Sequence, residues 1–100
     1  MGDISALSVG KSVFGVNMSM RYVLTPERKF SVSVSKKVAG RAVDRNRIRR
    51  RVYSVLRDVK DGVKKPAFIM IIPKRECQSI KIVEIRNELL SLLNKAGLSI

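Results

Sequence analysis

The residues best suited to chemistry in this sequence are arginines that crowd one short segment. Residues 43–57, VDRNRIRRRVYSVLR, contain six arginines and one acid, Asp44. A guanidinium group presents several N–H donors in a planar fork that matches phosphate oxygens, and it stays charged at physiological pH. The segment is therefore suited to holding a polyanion rather than to proton transfer or nucleophilic attack.

The whole chain shares this bias in charge. It carries 21 Lys and Arg against 8 Asp and Glu, which gives a formal net charge of +13 over 100 residues. Such an excess strains the compact state by self-repulsion, so we expect a polyanionic partner, with nucleic acid first and an anionic membrane surface second. The membrane is the weaker alternative, because the apolar stripe of the arginine segment is needed for a protein core.

Enzymatic chemistry on this chain alone is disfavoured. There is no histidine, and Cys77 is the only cysteine, so the sequence offers no disulfide, zinc site or Cys–His pair. Glu84 and Glu88 lie one helical turn apart, but Lys81 and Arg86 beside them favour surface ion pairs over acid–base catalysis. A self-sufficient nuclease is therefore not expected.

We also expect no secretion or membrane signal. Its start, MGDISALSVGKS, has no charged region followed by a long apolar core, and no apolar run approaches the ~18 residues of a membrane span. We expect a single domain over residues 1–100 in the reducing cytoplasm.

A helix must position the arginines, because the apolar residues between them recur at helical spacing. The predicted buried stripe is Ile48, Val52, Val55, Leu56 and Val59. Projection at about 100° per residue places a ridge opposite this stripe. This outward ridge consists of Asn46, Arg50, Tyr53 and Arg57, with Arg47, Arg49 and Arg51 beside it. Arg45 projects near the edge of the core, in the first turn.

The position of the cations costs the helix stability. Positive charges near a helix N-terminus oppose the macrodipole, at up to ~1 kcal/mol each. A merely solvated face would mix both signs of charge, whereas residues 36–51 hold eight basic residues and one acid. Lys36, Lys37 and Arg41 in the preceding loop extend the same positive surface.

The other elements read as strands and a second helix. Residues 16–24 and 30–35 both alternate apolar and polar side chains, and the turn at 25–28 predicts that they pair as a hairpin. Residues 67–72, AFIMII, are apolar throughout, which predicts a strand buried on both faces, often a parallel one. From about Ile80 a second helix places Ile82, Ile85, Leu89, Leu92 and Leu93 on one side and stops at Gly97. Asp3 is expected to cap a short turn with Ile4 and Leu7. The order is β, β, α, β, α after that turn, an α+β sandwich.

The segment KKVAGRAVDRNRIRRRVYSVLR resembles the bacterial ribonuclease P protein component family. The family signature reads here as Ser35-Lys36-Lys37, Ala42-Val43 and Arg45-Asn46-Arg47-Ile48-Arg49-Arg50. GKSV before the first strand and the leucine-rich last helix agree in order, so the resemblance spans nearly the whole chain.

The resemblance implies a two-layer α-β sandwich like domain 2 of ribosomal protein S5, with an unusual left-handed βαβ crossover. It implies an RNA-binding subunit of the endoribonuclease that removes the 5′ leader from precursor tRNA. The chemistry would belong to a catalytic RNA and to magnesium bound mainly by that RNA, with no further protein partner required. A general RNA-binding ribosomal or assembly protein is the alternative.

Site residues also follow from the resemblance. The RNA-binding residues would be Lys36, Lys37, Arg41, Arg45, Asn46, Arg47, Arg49, Arg50, Tyr53 and Arg57. The leader cleft would include Tyr22 and Ser33. Tyr22 either stacks on a nucleobase or is an ordinary half-buried core residue, and Tyr53 either contacts RNA or is simply exposed. The N-terminal wall of the cleft offers Ile4 and Leu7, with Phe14 beyond them, where the family has aromatic residues.

Overall fold

The computed structural model describes residues 10–98, apart from the side chain of Glu76. The elements, in chain order, are β1 (Lys11–Phe14), β2 (Met18–Leu24), β3 (Lys29–Val32), α1 (Ala42–Val59), β4 (Ala67–Pro73) and α2 (Ile82–Lys95). Short 3₁₀ turns at Lys60–Gly62 and Arg75–Gln78 follow α1 and β4. The predicted N-terminal turn at Asp3, Ile4 and Leu7 lies outside the described residues.

The four strands form one mixed sheet in the order β1-β2-β4-β3. β2 runs antiparallel to β1 and to β4, and β3 runs parallel to β4. The predicted hairpin of β2 with β3 is therefore wrong, because β4 lies between them and β1 is the hairpin partner of β2. The apolar β4 is an interior strand, with β2 on one side and β3 on the other. β1 is a short strand that alternation alone does not reveal.

Both helices pack on one face of this sheet. The buried side chains of β4, Ala67, Ile69 and Ile71, join those of the helices in one core. Phe68, Met70 and Ile72 on the other face of β4 are only half-buried. The prediction that both faces of β4 are buried is wrong, because no element within residues 10–98 covers the second face. The predicted α+β architecture of helices on a small sheet is confirmed; the left-handed crossover from β3 through α1 to β4 stays a prediction.

The helical patterns are largely confirmed. All five residues of the α1 stripe are buried, namely Ile48, Val52, Val55, Leu56 and Val59. In α2, Leu89 and its buried neighbours face the core, but Ile82 is 41% exposed because it begins the helix at its outer end. Gly97 adopts a φ of 73°, a left-handed conformation that glycine accepts readily, and it ends α2 as predicted.

Glu88 ties α2 to the turn between β1 and β2. Its Oε2 accepts hydrogen bonds from the amides of Asn17 and Met18 at 2.8 and 2.9 Å, and its Oε1 accepts from Asn17 Nδ2 at 2.8 Å. Gly15 lies against the same carboxylate, since a Cβ there would come within 2.5 Å of Oε2. Glu88 is therefore a structural anchor and not the surface ion-pair partner that its spacing predicted.

The other predicted partners also differ. The Glu84 carboxylate accepts from the Lys81 amide at 3.2 Å and so caps the start of α2. Arg86 pairs instead with Asp58 on α1, at 2.6 Å. The two acidic residues of α2 therefore have structural roles, Glu84 at the start of the helix and Glu88 at the turn between β1 and β2.

Candidate nucleic-acid interface

The outward ridge of α1 stands on the side of the helix opposite the core. Asn46, Arg50 and Arg57 are exposed, and Tyr53 is 38% exposed. With Val43 and Arg49 these residues line a shallow groove of about 540 Å³. The burial of the opposite stripe fixes this orientation, so the ridge is anchored by the core and faces solvent.

Several ridge arginines keep their donors available. Arg49 Nη1 donates to Asn46 Oδ1 at 2.6 Å, which couples the two side chains along the helix. Within residues 10–98, the guanidinium groups of Arg47, Arg50 and Arg57 make no hydrogen bond or ion pair. A phosphate that approaches the ridge can therefore bind them without breaking contacts inside the protein.

Two other arginines of the same segment point away from the ridge. Arg45 is half-buried, and its Nη1 donates to the carbonyls of Ala39 and Gly40 at 3.0 and 2.9 Å. Arg51 donates to the carbonyls of Gln78, at 3.4 Å, and of Ile80. The helical projection of Arg45 to the edge of the core agrees with this geometry, while its role in RNA binding stays a prediction.

The start of α1 strengthens the positive potential. Arg41 precedes the helix in an extended conformation, with φ −89° and ψ 138°, and makes no side-chain cap. Asp44 is the one acid in the first turn. Unpaired helix N-terminal amides attract anions, so the helix end and the cations act in the same sense.

The loop before α1 adds its cations to this surface. Lys36, Lys37 and Arg41 are all exposed in the segment that joins β3 to α1. Together with the exposed Arg47, Arg50 and Arg57 of α1, they make this loop and helix rich in exposed cations. Two residues outside the arginine segment, Arg75 and Gln78, donate hydrogen bonds to carbonyls of this loop. Sequence reasoning missed them because they lie about 40 positions further along the chain.

The two predicted leader-cleft residues are not brought together. Tyr22 lies opposite Ile69 in the sheet and packs half-buried against the core, on the helix side. Ser33 follows β3 between the buried Val32 and Val34, so alternation points it to the opposite face.

Tyr22 instead belongs to a cavity at the far end of β2. The cavity has a volume of about 370 Å³ and is also lined by Lys11, Lys65 and Leu98. A cavity lined by an aromatic ring and two lysines fits the stacking and charge needs of a single-stranded nucleic acid. The sequence gives no signal for the two lysines, because only the fold brings residues 11, 22 and 65 together.

Cys77 and the carboxylates do not form a second site. Cys77 is buried, and burial raises the pKa of its thiol to about 11, partly offset by the nearby Arg51 charge. Within the described part of the chain, no three acidic or cysteine side chains lie close enough to hold a metal ion. No helix there is both long and apolar enough to cross a membrane.

Comparison with known proteins shows which family this chain resembles in sequence. The family model described as Ribonuclease P matches residues 5–97. A ribonuclease P protein component of Bacillus cereus is 32% identical over 73 residues, which cover 73% of this chain and 63% of that protein. The one from Thermus brockianus is 32% identical over 92% of this chain and 54% of its own length. The chain thus spans somewhat under two thirds of the curated relatives it matches.

Solved structures show the same fold. The RNase P protein of Staphylococcus aureus superposes with a TM-score of 0.83 at 23% identity, covering 99% of this chain and 93% of that one. The Thermotoga maritima protein gives 0.81 at 23% identity, over 93% and 89% of the two chains. Because the family model covers nearly the whole sequence and the fold agrees, this chain belongs to the ribonuclease P protein component family.

Proposed function

We propose that this protein is the RNA-binding subunit of a ribonuclease P that removes the 5′ leader from precursor tRNA. One observation carries the proposal: a single-signed arginine ridge, fixed by a buried stripe on the other side of α1, faces solvent. Family membership supports a ribonuclease P RNA as the polyanion that this ridge would hold. No further protein partner is needed for this role.

The side chains of the ridge bind and orient RNA rather than break bonds. Arg47, Arg50 and Arg57 have free guanidinium donors for phosphate oxygens, and the Tyr53 ring lies among them. Guanidinium groups act as hydrogen-bond donors and not as general bases, so these arginines are suited to binding phosphate. We therefore assign the bond-breaking step to the RNA subunit.

We propose that the precursor's leader lies in the Tyr22 cavity. Tyr22 offers a ring for stacking on one base, and Lys11 and Lys65 neutralise the adjacent phosphates. Ser33 lies on the other face and does not join this cavity, so we assign the leader to the helix side of the sheet.

Magnesium would supply charge neutralisation and phosphate activation to the complex. Among the described residues no three acidic or cysteine side chains lie close enough to hold a metal ion, and we assign no ligand of magnesium to this chain. We also propose a cytoplasmic location, where cysteines such as the free Cys77 stay reduced.

Reconstitution tests the proposal. Purified protein is mixed with a transcript of a bacterial ribonuclease P RNA, and cleavage of precursor tRNA is followed at low magnesium. We expect cleavage that is faster than with the RNA alone, and none with the protein alone. Tight RNA binding without any gain in cleavage would favour a general RNA-binding protein, and cleavage by the protein alone would refute the assignment of the chemistry to RNA.

A further inference from the structure

The loop that carries Lys36, Lys37 and Arg41 is held by its backbone carbonyls. Four successive carbonyl groups, those of residues 37–40, each accept a hydrogen bond from a side chain elsewhere in the protein. Two of these bonds come from Arg45 on α1. The other two come from a single short turn that the proposed RNA surface does not include.

That turn is the 3₁₀ segment Arg75–Gln78 after β4. Arg75 Nη2 donates to the Lys37 carbonyl at 3.0 Å, and Gln78 Nε2 donates to the Val38 carbonyl at 2.6 Å. The donors lie 38 and 40 positions along the chain from their acceptors. The loop therefore takes its shape from a distant element rather than from its own sequence alone.

The turn is itself fixed to the fold. Cys77 of this turn is buried in the core, and the Cys77 amide donates to the Lys74 carbonyl at 3.0 Å. Arg51 reaches from α1 to the carbonyls of Gln78 and Ile80. A rigid support of this kind reduces the conformational entropy that the loop loses when it binds a partner.

The chemistry of the two donors assigns their part. A guanidinium that contacts phosphate directly is expected to have its N–H groups free in solvent, as those of Arg50 are. Arg75 instead donates to the Lys37 carbonyl. Gln78 carries no charge, so it gains nothing from the electrostatic attraction that dominates binding to a nucleic acid backbone. Its Nε2 donor is already used by the Val38 carbonyl, so we expect its effect on RNA affinity to pass through the shape of the loop.

We propose that Arg75 and Gln78 are positioning residues for RNA binding, which act by holding the backbone of the loop at residues 36–41 in its binding conformation. The inference rests on the proposed function, because it takes the exposed cations of that loop to contact ribonuclease P RNA. It adds the 3₁₀ turn after β4 to the parts of the protein that determine RNA affinity.

The test removes the donor of Gln78 and keeps its length. The Kd of Gln78→Met and of the wild type for a transcript of a bacterial ribonuclease P RNA is measured at several salt concentrations. Amide hydrogen exchange is measured on both free proteins. We expect faster exchange at the Val38 and Ala39 amides and a Kd raised roughly threefold to tenfold, the effect of one lost hydrogen bond. The slope of log K against log salt stays unchanged, because no phosphate contact is removed.

Two further variants make the result specific. Asn94→Ala removes an exposed amide from α2 and should change neither the Kd nor the exchange of the loop. Arg75→Ala should behave like Gln78→Met, with an unchanged salt slope, and it serves as the second variant if Gln78→Met folds poorly. A slope reduced by about 0.7 to 0.9 in Arg75→Ala would mark a direct phosphate contact and overturn the positioning role.

The outcomes separate the inference from the function. If the wild type binds the RNA and Gln78→Met binds equally well, or if the loop exchanges at the wild-type rate, the inference is refuted and the proposed function stands. If the wild type itself does not bind the RNA, the proposed function is refuted and the inference with it.

Discussion

Arg50 and Arg51 are adjacent arginines whose replacement should have different consequences, for the salt dependence of RNA binding in one case and for stability in the other. Arg50 lies on the outward ridge with its guanidinium in solvent, while Arg51 points back and donates to the carbonyls of Gln78 and Ile80. Arg50→Ala and Arg51→Ala remove the same charge from neighbouring positions of one helix. Each is therefore the matched control for the other.

The size of each effect follows from its contacts. Loss of one phosphate contact lowers the slope of log K against log salt by about 0.7 to 0.9, and we expect Arg50→Ala to weaken RNA binding by ~1–2 kcal/mol. Its free energy of unfolding should hardly change, because the side chain has no partner within residues 10–98. Arg51→Ala loses hydrogen bonds from a charged donor to two carbonyls, which costs roughly 1.5–3 kcal/mol of stability. In a domain of this size that lowers Tm by about 4–8 °C for each kcal/mol.

Two assays read the two effects. Filter binding or fluorescence anisotropy with ribonuclease P RNA, at salt concentrations from about 50 mM to about 200 mM, gives the slope of log K against log salt. Thermal unfolding followed by circular dichroism gives the stability. An unchanged slope in Arg50→Ala, or an Arg51→Ala protein as stable as the wild type, would refute the division of this helix into binding and structural arginines.

The remaining predictions concern the anchor, the thiol and the cavity. Glu88→Ala leaves the Asn17 and Met18 amides without their acceptor, and we expect a loss of roughly 2–4 kcal/mol in the free energy of unfolding, measured by urea denaturation, whereas Glu88→Gln should lose less. Because burial raises the pKa of Cys77 to about 11, its alkylation by iodoacetamide at pH 8 should be slow in the folded protein and fast in urea. The same raised pKa means that the free energy of unfolding falls as pH rises from about 9 to 11, since the folded state then binds more protons than the unfolded one. Tyr22→Ala should weaken binding of precursor tRNA to the reconstituted complex more than binding of mature tRNA, and equal losses for both would show that the ring is only structural.

The arginine helix is the part of the fold that the sequence predicts best. Its stripe, from Ile48 to Val59, repeats at helical spacing, and a period of that length has no competing interpretation. The outward direction of Arg50 and Arg57 follows from the same geometry. Local pattern is enough here because helix hydrogen bonds and side-chain faces depend only on near neighbours in the chain.

The sheet was harder to predict because its pairing is not local. The turn at 25–28 joins two strands that alternate well, and nothing in either strand reveals that β4 lies between them. The same limit applies to the site. Arg45 shows its role only when Ala39 and Gly40 are seen to accept its hydrogen bonds, and the link from Gln78 to Val38 needs the complete fold.

The central position of β4 also decides when the basic surface can exist. Within the described sheet β3 pairs with β4 alone, and β4 comes after α1 in the chain. A ribosome that has released residues up to Val59 has produced every ridge arginine but not β4, whose buried side chains share one core with those of α1. Until β4 emerges, β2 and β3 are free to pair with each other through their short connection, and that pairing must open before β4 can insert. We therefore expect α1 to become a fixed surface only after β4 has been made.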